Sequence, residues 1–183
     1  MGNLQDQLVH ACQLTVLTCI DFRLHGAWNL NRCLQELFGS NVSFDLLTMP
    51  GACYRLAREG QQMSVPEDSC LCNEGVTEEA ALEPEDRCSV VLSDLSLSIS
   101  LHQPESLLLI QHENCGRYQA DHEFASLADE RRVLMSDLKL AAGILQERFP
   151  RLRILGYVAR IDLAMASTIG LDQVFNSTNP TTR

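Results

Sequence analysis

Four short runs of apolar and β-branched residues punctuate the chain: Leu14-Thr15-Val16-Leu17-Thr18-Cys19, Phe44-Asp45-Leu46-Leu47-Thr48-Met49, Leu107-Leu108-Leu109-Ile110-Gln111-His112 and Arg153-Ile154-Leu155-Gly156-Tyr157-Val158. Short, nearly continuous apolar runs of this kind read as strands covered on both faces, the signature of a parallel sheet. Their starts lie 30 residues or more apart, which leaves room for a crossover helix between each pair. The longest helical pattern runs from Asp121 to Phe149, where Phe124, Leu127, Leu134, Leu138, Leu145 and Phe149 recur largely at steps of three and four. Pro150 closes it. A second helix is expected over Gly26 to Phe38, with Gly39 as its C-cap. Ser89 to Leu101 is two-sided. Leu95, Leu97, Ile99 and Leu101 alternate as in a strand, yet Val91, Leu95 and Ile99 also stand four apart on one helical face. The need for a crossover before the run at Leu107 decides for a helix. Strands alternating with helices predict a three-layer α/β/α fold with a mostly parallel central sheet and right-handed crossovers.

Composition adds limits to that picture. A chain of 183 residues fits a single domain over 1–183. Fourteen Lys and Arg against 24 Asp and Glu give a charge of -10, and Lys139 is the one lysine. A chain without a basic field is not built to bind a phosphate backbone, so nucleic acid is excluded as a partner. The acidity is concentrated: Gln61 to Asp86 holds eight acids and no Lys or Arg. Taking those eight from 24 leaves 16 acids against all 14 bases, a charge of only -2 for the rest. This stretch of 26 residues is long for a loop, and is expected to be an acidic, mobile insertion or a lid. No apolar run reaches the length of a membrane span and no basic segment precedes the first apolar stretch, so the expectation is a cytoplasmic protein without a membrane partner. In a reducing compartment the eight cysteines read as buried thiols or metal ligands rather than disulfides.

In a parallel sheet, ligands bind outside the carboxyl ends of the strands. Three of the four expected ends carry reactive or turn-forming residues: Cys19-Ile20-Asp21-Phe22-Arg23, Met49-Pro50-Gly51-Ala52 and His112-Glu113-Asn114-Cys115-Gly116. Cysteine thiolates and histidine nitrogens hold zinc in tetrahedral sites. His112 and Cys115, two residues apart across a strand-to-helix turn, can face one ion, and Cys19 on a neighbouring strand can supply a third ligand. Asp21 and Arg23 leave the same face of an extended segment, so a bidentate pair can hold the carboxylate ionised and fixed. Beside a metal, Asp21 has two uses: it can accept a proton or hydrogen bond from water, or it can be a fourth ligand that closes the site. His25 is a candidate proton shuttle. Cys70, Cys72 and Cys88 lack the spacing of a zinc knuckle and are expected in a loop.

Cys-x-Asp-x-Arg at 19–23 followed by His-x-x-Cys-Gly at 112–116 resembles the β-class carbonic anhydrase family, over about residues 12–60 and 88–162. The resemblance implies Zn2+ held by Cys19, His112 and Cys115, with Asp21 and Arg23 as catalytic dyad. The implied reaction is reversible hydration of carbon dioxide to bicarbonate by a zinc-bound hydroxide. It also implies a homodimer or higher homo-oligomer. Two departures bear on the substrate. Met49-Pro50-Gly51-Ala52 stands where the family has a polar segment, and Phe22 replaces a small residue. A reshaped pocket keeps two alternatives open: a zinc hydrolase of CS2 or COS on the same fold, and a non-catalytic zinc scaffold closed by Asp21.

Overall fold

A computed structural model describes residues 11–26, 29–62 and 84–177 of the chain. Strand β1 (Leu14–Cys19) is buried at all six positions. Strand β3 (Ser106–His112) is buried at all seven. Such runs require cover on both faces and neighbours on both edges, and the sheet order β2-β1-β3-β4-β5 supplies them. Strand β2 (Phe44–Met49) flanks β1 in parallel, with Leu14 opposite Phe44 and Cys19 opposite Met49. Strand β3 pairs with β1 on its other side, also in parallel. Strand β4 (Arg153–Asp162) continues the parallel set beyond β3. The last strand, β5 (Ser167–Asn176), returns antiparallel to β4. The expected α/β fold with a mostly parallel sheet is therefore observed, with one antiparallel edge strand added.

The chain leaves β1 toward β2, then crosses back to β3 and β4. With right-handed crossovers, this reversal puts the helices after β1 on one face of the sheet and the later ones on the other. After β1 come α1 (Phe22–His25) and α2 (Leu30–Phe38). Asn29 caps α2 through its side chain, so the helix expected over 26–38 starts at Leu30, and the short α1 before it was not expected. Gly39 ends α2 with φ 102° and donates its N–H to the Gln35 carbonyl, as its placement predicts. Helices α3 (Tyr54–Gln62) and α4 (Pro84–His102) connect β2 to β3. The ambiguous alternating segment lies within α4. Val91, Leu95 and Ser98 turn inward while Leu97 and Leu101 face out, the helical reading of the same residues.

Between β3 and β4 the long helix expected from Asp121 begins only at Leu127. Helix α5 (Gly116–Asp121) ends at His122, and α6 (Leu127–Arg148) starts afresh with the Ser126 side chain accepting from the Asp129 N–H. Ser-x-x-Asp is a capping sequence, and a cap starts a new helix where periodicity alone would run on. Helix α6 lies over β3 and β4 and against α3.

Most of the acidic stretch 61–86, with Cys70 and Cys72, lies outside the described residues, and the Cys88 side chain is likewise not described. Among the described residues no helix is long and apolar enough to cross a membrane.

Candidate metal centre

Topology places this centre. The order reverses between β1 and β3, and such switch points leave a crevice at the carboxyl ends of the two strands. Cys19 is the last residue of β1 and His112 the last of β3. Beyond His112 the backbone turns through Asn114 at φ 55°, and Cys115 becomes the N-cap residue of α5. These three residues, all buried, bring two sulfurs and an imidazole nitrogen within 4.8 Å of one another.

The histidine shows what the group is suited to hold. Its Nδ1–H donates to the Glu113 carbonyl at 2.9 Å. That fixes the tautomer and leaves Nε2 with a free lone pair. Nε2 is fully buried and has no hydrogen-bond partner. An orphaned nitrogen beside two thiols is costly unless a cation completes it. Two sulfurs and one imidazole are the donor set of zinc.

The sulfurs are unequal. Cys19 is pulled well below an ordinary thiol by its contact with Cys115, helped by His112 and by the Gly51 N–H, which donates to Sγ at 3.3 Å. Cys115 moves the opposite way, because the same contact with Cys19 and its own burial disfavour a second negative charge. A divalent cation would relieve that repulsion and let both ionise.

Asp21 borders the three. Its Oδ2 is 3.8 Å from His112 Nε2. Arg23 holds both carboxylate oxygens, with Nε donating to Oδ1 at 2.8 Å and NH2 to Oδ2 at 2.6 Å, while its backbone N–H caps Oδ1 at 3.0 Å. This grip brings the Asp21 pKa down to about 2. Arg23 is itself anchored by Asn114, whose side-chain and backbone oxygens accept from it at 3.0 and 2.7 Å. Thr168 on β5 donates to the Arg23 carbonyl at 3.0 Å.

Three supports were not legible from the motifs. Glu130, 1% exposed, reaches from α6 and accepts the backbone N–H groups of Asn114 and Cys115 at 2.8 and 2.9 Å. It ties the turn carrying Cys115 to the longest helix. A carboxylate on the apolar stripe shared with Leu134, Leu138 and Ala141 was the available signal. Asn114 and Thr168 offered none, since one is an ordinary turn residue and the other lies on a strand the sequence did not predict.

A cleft of about 440 Å³ opens onto the centre, lined by Cys19, Asp21, Ile20, Phe22, Pro50, Gly51, Gly116 and Arg117. Phe22 and Ile20 are 72% and 56% exposed, giving an apolar mouth. Met49 does not line it and packs against the core instead. Gly51, at φ 72°, lies so close to Arg117 that a Cβ would come within 2.8 Å of its side chain. His25 does not line the cleft, and its Nε2–H donates to the Cys19 carbonyl at 2.8 Å.

No family model matches the chain, and no curated protein does. Among solved structures it is similar to the β-carbonic anhydrase CcaA, at 12% identity and TM-score 0.46, over 91% of this chain and 88% of that one. It is also similar to a tetrameric β-carbonic anhydrase from the filamentous ascomycete Sordaria macrospora, at 10% identity and TM-score 0.43, over 92% and 84% of the two chains. At such identity the chemistry of the centre has to follow from its own side chains.

Proposed function

We propose that this chain is a zinc-dependent lyase that hydrates carbon dioxide reversibly to bicarbonate. The observation that carries the reading is the buried Cys19, His112 and Cys115 group, with an unpaired His112 Nε2, beside a carboxylate gripped by arginine. Zinc bound by those three residues would act as a Lewis acid that makes a water molecule acidic near neutral pH. The residues of the chain divide the remaining work.

Asp21 is ionised at any physiological pH and cannot rotate freely, because Arg23 and its own cap fix both oxygens. It is placed to accept a hydrogen bond from a water at the centre and so direct that water's lone pair into the cleft. Arg23, anchored by Asn114, keeps the carboxylate from swinging. Ile20, Phe22 and Pro50 provide an apolar approach suited to a small uncharged substrate. Arg117 adds a cation to the lining of the cleft, with Asp121 accepting from it at 2.6 Å.

The exposed phenyl ring of Phe22 favours a second reading on the same centre, in which the linear electrophile is CS2 or COS. Metal analysis of protein purified without chelators tests the premise common to both. Substantially less than one zinc per chain would sink it. Stopped-flow hydration of CO2 by zinc-loaded protein across about pH 6 to 9 then separates them. Turnover supports the hydratase, and its absence with zinc in place transfers the reading to the sulfur substrates. A homodimer or larger homo-oligomer belongs to the same proposal, and sedimentation velocity reads it directly.

A further inference from the structure

A second cluster of metal-ligating side chains sits at the opposite end of the sheet. Cys12 lies two residues before the start of β1, Asp45 is the second residue of β2, and His102 is the last residue of α4. Their ligand atoms all lie within 4.8 Å of one another. We propose that Cys12, Asp45 and His102 form a second divalent-metal site of zinc type, independent of the first centre. It does not rest on the carbonic anhydrase reading.

Three features argue for it. The first is construction. The Cys12 N–H donates to the His102 carbonyl at 3.0 Å, so the segment before β1 is hydrogen-bonded to the end of α4. Gln103, at φ 46°, turns the chain sharply after His102. The His102 ring is thereby held over β2, with Nδ1 2.5 Å from Asp45 Oδ2. The second is support behind the ligand. Ser98 donates to the same Asp45 oxygen at 2.7 Å and is itself bonded to buried Thr15 at 2.8 Å. A metal-binding carboxylate oriented by an outer hydrogen bond is the usual arrangement. The third is charge. One thiolate and one carboxylate neutralise a divalent ion, and a sulfur, nitrogen and oxygen set suits Zn2+ far better than Mg2+ or Ca2+.

The cluster is also accessible, with the His102 and Asp45 side chains 33% and 27% exposed, so an ion can enter from solvent. Burial and the negative charge of Asp45 now hold the Cys12 thiol up in the protonated form, donating to the Leu14 carbonyl at 3.1 Å. On binding, that thiol gives its proton to solvent. Ligation through His102 Nδ1 requires that nitrogen to carry no proton, so the proton it shares with Asp45 is released and the ring keeps its N–H on Nε2, while the Nδ1 to Oδ2 contact opens toward the roughly 3.3 Å ligand spacing of a tetrahedral ion. Water is left for the fourth position. The ion would staple the segment before β1, β2 and α4 together at the edge remote from the cleft.

The test is a titration of the full-length, chelator-stripped and reduced chain with Co2+ and with Zn2+ alone. Absorbance reports the thiolate-to-cobalt band and equilibrium dialysis counts the ions. The wild type is expected to take two equivalents and Cys115→Ser to keep one. Cys12→Ser and His102→Gln are each expected to lose one equivalent and the matching share of the thiolate band. Asp45→Asn preserves an acceptor for Ser98 and serves if either variant misfolds; the weaker of its two sites is expected to lose affinity at least tenfold. A single equivalent in the wild type overturns the proposal. So does a second equivalent that survives in His102→Gln or binds Asp45→Asn with unchanged affinity, since that ion would sit elsewhere in the chain.

Discussion

Asp21, Glu130 and Asp137 are three acids withdrawn from bulk water, and their partners give them three different tasks. Asp21 is paired with Arg23 and points at the centre. Asp21→Asn keeps the shape and loses the charge. Turnover in CO2 hydration is expected to fall about 10²- to 10⁴-fold with zinc content unchanged, and loss of zinc in that variant would make Asp21 a structural ligand instead. Glu130 spends both oxygens on backbone N–H groups, a purely architectural task. Asp137, 1% exposed, accepts from Tyr118 and Arg58 at 2.9 and 3.0 Å. Burial nevertheless raises its pKa, outweighing Arg58 and Tyr118. A carboxyl with a raised pKa contributes stability that is complete below its unfolded value and is lost as pH rises through the folded one. Asp137→Asn does not titrate. The stability of the wild type relative to that variant is therefore expected to fall as pH rises from about 4, by no more than about 1.4 kcal/mol per pH unit. Urea melts of both proteins at stepped pH measure this, and a constant difference would contradict it.

At the scale of elements, a close contact between β4 and β5 restricts the sheet. Gly156 lies opposite Phe175, and a Cβ there would meet the phenyl ring at 2.0 Å. The ring occupies the space that a side chain would need, which is why a glycine interrupts an otherwise apolar strand. Gly156→Ala is expected to cost about 1–3 kcal/mol through overpacking, and Phe175→Leu in the same chain to restore part of it. Thermal melts of the single and double variants check this, and additive losses would show that the two do not meet. Strand β5 matters to the centre as well, because Thr168 holds the Arg23 carbonyl. The sequence did not predict β5, whose run Ser167-Thr168-Ile169-Gly170-Leu171-Asp172-Gln173 carries polar residues and a glycine. An edge strand is half-exposed and needs no continuous apolar pattern. The same limitation started the long helix at Asp121 instead of Leu127, since helical periodicity does not show where a capping serine begins the hydrogen-bond ladder.

For the whole molecule, the two clusters stand at opposite ends of β1, one at its carboxyl end and one just before its start. The acidic stretch joins α3 to α4, and these two helices pack against each other. Replacing residues 63–83 with a short Gly-Ser linker is expected to leave the zinc content of the first centre unchanged. Metal analysis alongside CO2 hydration reads this directly: lost zinc would show that the stretch supports the centre, and altered turnover with zinc retained would show that it acts at the cleft.

Four strands, the α/β class and the edge carrying Cys19, His112 and Cys115 were determined by the sequence alone, because burial on both faces demands apolar runs and parallel strands align their carboxyl ends. Local spacing also sufficed for the Asp21 and Arg23 pair, two residues apart. What only the tertiary structure decided are the contacts between segments that no strand-end pattern brings together. Glu130 is tied to the Cys115 turn from 15 residues away, and Thr168 is tied to Arg23 from 145. Cys12, Asp45 and His102 meet because β1, β2 and α4 begin or end at one edge. Such contacts arise from chain crossings and register, and neither leaves a periodic mark in the order of the residues.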